Sequence, residues 1–406
     1  MGLLSERFRE KMGKLKDPKM EEATFDVMYP TGFLPFDFAN GYKVDGVYPN
    51  GTPFSYNSLG IVDGSANTII GRTGSGKTTF AIQAAANIVI PFENGVIFYD
   101  DIEGGSNQIR RERLTGFSPE EISTRLIYRN AAITAENFYS RIQYIYEDKL
   151  SHIEDYEYDT GLVGTKGEKI YKLVPTVYIL DSLAMLTPDK LTEEEELSGQ
   201  MSATATAKSN TAVYKRIIPK LKAANIILLV INHINSKVDI NPFAKTKAQI
   251  GWLKPDETLP GGIAGLYLAN NLIRIDDSIK IKESDGLGID GKIVDFTFVK
   301  SRSNKSGISV PLLFDYNNGY DPLLSLYIFL KSEGYIDSKG AYMNLKGSEI
   351  KFTQKNFKEK VMTDNDFAQD FQKVSREALN KLLVSYRPND SEAVSTNSII
   401  NNILNM

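Results

Sequence analysis

The segment Gly71, Arg72, Thr73, Gly74, Ser75, Gly76, Lys77, Thr78 reads G-x-x-x-x-G-K-T, and no other stretch of the chain restricts its fold so much. The pattern works only where a strand hands over to a helix, because the loop must bring backbone N–H groups and a helix N-terminus to one anion. The flanks agree: the apolar run Asn67–Ile70 comes before it, and the alanine-rich residues 79–86 follow. Lys77 is placed to neutralise β and γ phosphates and the Thr78 hydroxyl to ligand Mg2+, with Thr79 opening the helix behind them. The chain is therefore expected to bind a nucleoside triphosphate, ATP, together with Mg2+. The alternative, a glycine-rich turn without a ligand, leaves the strand and helix on either side unexplained.

Hydrolysis needs a metal carboxylate and a group that activates water. Residues 176–180 form an apolar strand ending in Asp181, at the carboxyl edge where parallel sheets carry their ligands, so Asp181 is the candidate metal residue beside Thr78. A second run, 95–99, leads into Asp100, Asp101 and Glu103. A Glu just past a strand next to the P-loop strand can reach a water in line with the γ-phosphate, which makes Glu103 the candidate base. Asp100 and Asp101 are read as structural. A solvated acidic loop is the competing reading of all three.

Strand-like runs at 67–70, 95–99, 126–128, 176–180, 226–231 and 271–275 alternate with helical stretches at about 78–90, 136–149 and 208–223. This alternation predicts an α/β fold with a mostly parallel central sheet. Residues 154–172 read as a surface hairpin, and 279–282 and 294–299 as antiparallel edge strands. Residues 1–30 read as a charged helical arm, 31–322 as the ATPase core, and 323–406 as a small, mostly helical domain with a polar tail. With no cysteine there are no disulfides or thiolate metal sites, and two histidines cannot build a multi-histidine centre. No apolar run approaches the ~18 residues of a membrane span, so no membrane partner is expected. The net charge of −4 leaves room for a basic surface only where it is local. A reducing, cytoplasmic setting fits this composition.

Beyond the P-loop, six further segments occur in a recognisable order: Thr31–Asp37, Asp101–Gly104, Leu180–Pro188, Ile231–His233, Pro260–Gly262 and Val299–Arg302. Together they resemble the RecA-type strand-exchange recombinases, above all the UvsX-type proteins of tailed phages, over roughly residues 28–335. The resemblance implies a RecA-like ATPase core in which Glu103 is the general base. His233, at a strand end, senses the γ-phosphate. Arg110 lies where relatives hold the adenine. Lys300 and Arg302 match a basic pair that reaches across a subunit interface to the neighbour's γ-phosphate, and two positions apart on a strand they point the same way. Tyr267 falls where the family has an interface aromatic, with a core position as the alternative. Head-to-tail helical filaments are implied as well, the N-terminal arm packing on an adjacent subunit.

The family binds single- and double-stranded DNA through two loops and the helix between them. Residues 208–222 carry Lys208, Lys215, Arg216, Lys220 and Lys222 with no acid among them. Lys208, Lys215 and Lys222 recur every seven residues and form one stripe on a helix, suited to a phosphate backbone. A solvated helix face is the plainer reading. Pro219 should interrupt one helical hydrogen bond there. The first loop, about 188–207, departs from the family in its acidic run Glu193–Glu196. The second, about 234–260, offers Lys237, Lys245, Lys247 and Trp252, with Phe243 and Ile250, and closes on Gly261 and Gly262. Apolar side chains between bases and lysines on phosphates would suit a single strand, although Trp252 could equally be buried. The expectation is an ATP-dependent recombinase. Two rivals share the core: a hexameric helicase, and a nucleotide-dependent regulatory assembly protein that binds no DNA.

Overall fold

The structure, a computed structural model, describes residues 26–164, 166–189, 199–236, 252–261 and 264–386. Expectations for the arm before residue 26, the acidic run Glu193–Glu196, the tail after residue 386, and Lys237, Phe243, Lys245, Lys247, Ile250 and Gly262 lie outside the described residues.

The P-loop strand, β1 (Ala66–Gly71), is followed by helix α1 (Lys77–Val89), as the motif requires. Next come β2 (Val96–Asp101), α2 (Gln108–Thr115), β3 (Leu126–Arg129), α3 (Ala135–Ser151), β4 (Thr176–Asp181), α4 (Gly199–Ala224) and β5 (Ile226–His233). The chain continues through β6 (Asn271–Ile281), β7 (Gly291–Lys300), β8 (Ser309–Asp315), β9 (Gly319–Tyr320), α5 (Pro322–Ser332) and α6 (Asn365–Asn380). All nine strands belong to one sheet, in the order β9-β8-β7-β6-β1-β5-β4-β2-β3. From β6 to β3 every neighbouring pair is parallel, and β7, β8 and β9 add an antiparallel edge. The α/β architecture with a mostly parallel sheet is the one expected.

The central strands are apolar throughout because both faces are covered. In β5, Ile227, Leu229 and Ile231 pack with Phe80, Ala84 and Ile88 of α1 on one face. The residues between them, Ile226, Leu228 and Val230, pack with Phe138 and Ile142 of α3 and Ile217 and Leu221 of α4 on the other. Period-two alternation in the strand thus meets helices whose buried residues recur every three or four positions.

Three details differ from the sequence reading. Residues 279–282 are no separate strand: β6 runs on to Ile281, and a register shift against β7 between Asp277 and Ile279 absorbs Ser278. Helix α4 begins at Gly199 rather than 208, since the small residues before Lys208 include no proline or further glycine to stop it, and it continues through Pro219. The C-terminal part holds a small sheet (Ile336–Lys339, Tyr342–Leu345, Lys351–Phe352) beside its helices. Its apolar residues, Leu324 to Leu330 of α5 and Phe367, Phe371 and Val374 of α6, join the core that covers the α1 face. The hairpin expected at 154–172 is present, Glu157–Val163 pairing with Lys169–Leu173. No helix among the described residues is long and apolar enough to cross a membrane.

Candidate nucleotide-hydrolysis site and basic surface

Strand register decides what meets at the carboxyl edge of the sheet. Asp181 pairs across to Asp101 on one side and to Ile231 on the other, and His233 pairs to Gly71. Four strand ends therefore deliver the P-loop, Asp101, Asp181 and His233 to one place. Gly74 and Gly76 adopt positive φ (78° and 97°), the left-handed conformation in which a side chain is strained. At Gly76 a Cβ would also come within 2.5 Å of the Tyr320 hydroxyl beneath the loop.

Lys77 is buried, its amine donating to the carbonyls of Gly71 (3.0 Å) and Arg72 (2.9 Å). Burial pushes that amine down to about 8, while Asp181, Glu103 and Asp277 pull the other way. The Thr78 hydroxyl donates to Asp181 Oδ2 at 2.7 Å. Asp181 Oδ1 is buried and has no hydrogen-bond partner among the described residues. Burial raises its carboxyl to about 6, with Glu103 and Asp101 adding to the effect and Thr78 opposing it. A hydroxyl and a carboxylate in contact, one carboxylate oxygen bare in a negative field, fit a divalent cation.

Glu103 Oε1 lies 2.7 Å from His233 Nε2, and His233 Nδ1 lies 3.5 Å from Thr73 Oγ1. The strand-end histidine thus touches both the candidate base and the P-loop. Asp101 accepts from the backbone N–H groups of Gly104, Gly105 and Ser106 and from the Tyr128 hydroxyl, and so shapes the turn that presents Glu103. Asp100 is tied to Arg141 and Tyr178. Arg110, exposed on α2, donates to Thr79 Oγ1 at 3.0 Å, which brings it to the first turn of the P-loop helix.

Lys300 and Arg302 are not brought to this edge. Lys300 pairs with Leu272, which pairs with Thr68, so β7 ends toward the amino edge of the parallel strands, away from the P-loop of the same chain. The expectation that both cations lie on one strand and point the same way needs correction, because β7 stops at Lys300 and exposed Arg302 lies in the bend beyond. The Lys300 amine donates to the carbonyls of Tyr267 (2.6 Å) and Ala269 (2.7 Å), at the end of a short helical turn (Ala264–Tyr267). Tyr267 is 55% exposed, so its core alternative falls away.

Two groups that the sequence reading passed over also build the site. Buried Lys292 donates to Gly74 O (2.7 Å) and to Asp277 (2.7 Å), clamping the P-loop from the antiparallel strand. Glu257, fully buried, takes two hydrogen bonds from Arg274 at 2.8 and 3.0 Å, with Asp276 on the other side of that guanidinium. Asn232 donates to Pro260 O, and Asn235–Ser236 pairs with Glu257–Thr258, so both ends of the second loop are pinned beside His233.

On α4, Lys208 and Lys215 are exposed. Lys222 is committed to carboxylates: it bridges to Asp63 (2.9 Å) and Asp26 (3.4 Å), and Lys172 holds the other Asp63 oxygen. The expected three-lysine stripe therefore loses its last member. Lys220 lies over the Tyr146 ring, and with Lys215, Arg216 and Tyr139 it lines a groove of about 890 Å³ between α3 and α4. Trp252 is half-buried against Leu253, Leu259 and Leu266, and its carbonyl accepts from Arg274, so it anchors the loop's returning end. Gly261, at φ 82°, accepts from Asn210 of α4 and lies against Leu183. That places it in packing under the loop.

No family model matches the chain. It is similar to protein RecA. Over 178 residues it is 26% identical to that protein from Mannheimia haemolytica, a stretch that covers 43% of this chain and 43% of that protein. The chain thus spans less than half the length of the curated relative it matches. Among solved structures it resembles a RadB recombinase loosely, with a TM-score of 0.38 and 16% identity over 64% of this chain and 92% of that one.

Proposed function

We propose that this protein is an ATP-dependent DNA recombinase of the RecA type, akin to the tailed-phage members, which coats single-stranded DNA as a helical filament and promotes pairing and strand exchange with duplex. The reading is carried by Glu103, bonded to His233 and standing beside the Thr78–Asp181 pair behind a complete P-loop. Glu103 takes the proton of the attacking water, and Lys77 leaves its two P-loop carbonyls to neutralise the phosphates. Thr78 and Asp181 would hold Mg2+, which would supply positive charge against that developing on the phosphates. His233 reports the γ-phosphate to the second loop, because Asn232 and Asn235 on either side of it hold that loop's stem.

Lys300 and Arg302, on the far edge from their own P-loop, act on the nucleotide of a neighbour, which makes hydrolysis a property of the assembled filament. Lys208 and Lys215 bind DNA phosphates, with Lys237, Lys245 and Lys247 in the second loop. Such a protein works in the cytoplasm, where a phage-infected bacterium keeps its DNA.

ATPase assays with and without single-stranded DNA test the reading on wild type, Glu103→Gln and Lys208→Ala. Glu103→Gln is expected to lose roughly 10²–10⁴-fold in rate with ATP binding retained, and Lys208→Ala to need more DNA for the same stimulation. Hydrolysis that is equally fast without DNA would remove the recombinase reading. An undiminished Glu103→Gln rate would remove the base.

A further inference from the structure

We propose that, in the nucleotide-free protein, Glu103, Asp181 and His233 form a binding site for one first-row transition-metal dication, distinct in chemistry from the Mg2+ that accompanies ATP. The three residues come from three strand ends, yet their ligand atoms all lie within 4.8 Å of one another. Ligand atoms around a dication with bonds of about 2.0–2.2 Å fall within such a span. Asp181 is 3% exposed, and its Oδ1 is a buried carboxylate oxygen without a hydrogen-bond partner among the described residues. Buried polar atoms are seldom left so, and an ion is one of the ordinary reasons.

The donor set decides the class of ion. Two carboxylates alone would suit Mg2+ or Ca2+, whereas an imidazole nitrogen beside them shifts preference toward the Co2+ and Zn2+ end of the series. In the ion-free protein His233 Nε2 and Glu103 Oε1 lie 2.7 Å apart in a hydrogen bond. The ion takes the place of that hydrogen bond, and the neutral ring then carries its proton on Nδ1, the nitrogen that faces Thr73 Oγ1. Once coordinated, the Glu103 carboxylate is held on the ion and made a weaker base, and His233 Nε2 is taken up by the ion, so the ion and hydrolysis exclude each other. Asp181 is common to both metal sites, so saturating Mg2+–ATP displaces the ion. The proposal deepens the hydrolytic reading above by sharing its residues, but ion binding is measured without nucleotide and stands or falls separately.

The chain has two histidines, which makes the test direct. Nucleotide-free protein is titrated with Co2+ while the imidazole NMR signals and the visible absorption of the ion are followed. One ion per chain is expected, with the His233 ring signal shifted or broadened first and that of exposed His152 unchanged at the same ion level. His233→Ala should weaken Co2+ binding by at least about tenfold, the lower end of what losing even an outer partner of a ligand does. His152→Ala should bind as wild type does. Should His233→Ala fail to fold, the selective response of the wild-type ring still decides. Equal broadening of both rings, no response of either, or unchanged affinity in folded His233→Ala overturns the site. If Co2+ does not bind while Glu103→Gln still abolishes Mg2+–ATP hydrolysis, the ion proposal falls and the hydrolytic reading stands.

Discussion

At Asp37 a carboxylate is buried with one oxygen bonded to the Thr31 N–H and hydroxyl and the other without a partner among the described residues. Burial raises its carboxyl to about 7, against an unfolded value near ~3.9. The folded protein therefore holds this proton more tightly than the unfolded chain does. Its contribution to stability is full below about pH 4 and declines as the pH rises toward 7, where the bare charge must be buried. Asp37→Asn keeps an acceptor for Thr31 and cannot ionise. Thermal melts should show the variant more stable than wild type at pH 8, with the gap closing by about pH 4 to 5. A constant gap would mean that Asp37 does not titrate in the fold. Residue-level chemistry at the site was legible to different depths. Asp181 ends a strand that periodicity marks, Glu103 lies two residues past another, and Thr78 opens the helix after the P-loop strand, so their meeting follows from the sheet. Lys292 clamps Gly74 across 218 positions of sequence, and nothing local announces it.

Among the elements, α4 shows how one charge pattern divides into two roles. Lys208 and Lys215 face solvent, while Lys222 neutralises Asp63, which is 1% exposed and shared with Lys172. Lys222→Ala is expected to lower stability by roughly 1–3 kcal/mol, because the Asp63 carboxylate loses one of its two charged partners. Lys208→Ala and Lys215→Ala should stay within about 0.5 kcal/mol of wild type. DNA binding should divide the opposite way. Each of the exposed lysines removed should reduce the slope of log Kobs against log salt by about 1, and Lys222→Ala should leave it unchanged. Denaturant melts and salt titrations of single-strand binding check both halves. Seven-residue spacing predicts that three lysines share a face, but it is blind to what the neighbouring strand ends place beneath the last of them.

For the whole molecule, the place of Lys300 toward the amino edge of the sheet, level with Thr68 and away from its own P-loop, sets the consequence. On the proposed role of Lys300 and Arg302 at a neighbour's site, a Lys77→Ala subunit lacks its own site and keeps the cations it would offer to the neighbour. A Lys300→Ala/Arg302→Ala subunit has the reverse defect. Each alone should hydrolyse little ATP, and an equal mixture should recover activity at roughly a quarter of its interfaces, as random head-to-tail assembly gives. No recovery in mixed oligomers would place both cations outside the neighbour's site. The sequence by itself determined the P-loop, the α/β alternation and the strand ends that carry Asp181, Glu103 and His233, because periodicity and strand–helix junctions are local properties. Only the tertiary structure decided that Lys222 is spent on Asp63, that Lys300 caps carbonyls on the far edge, and that Lys292 and the Glu257–Arg274 pair brace the loops. Those outcomes depend on register between distant strands and on which charges burial leaves in need of a partner, and neither is written in any one stretch of chain.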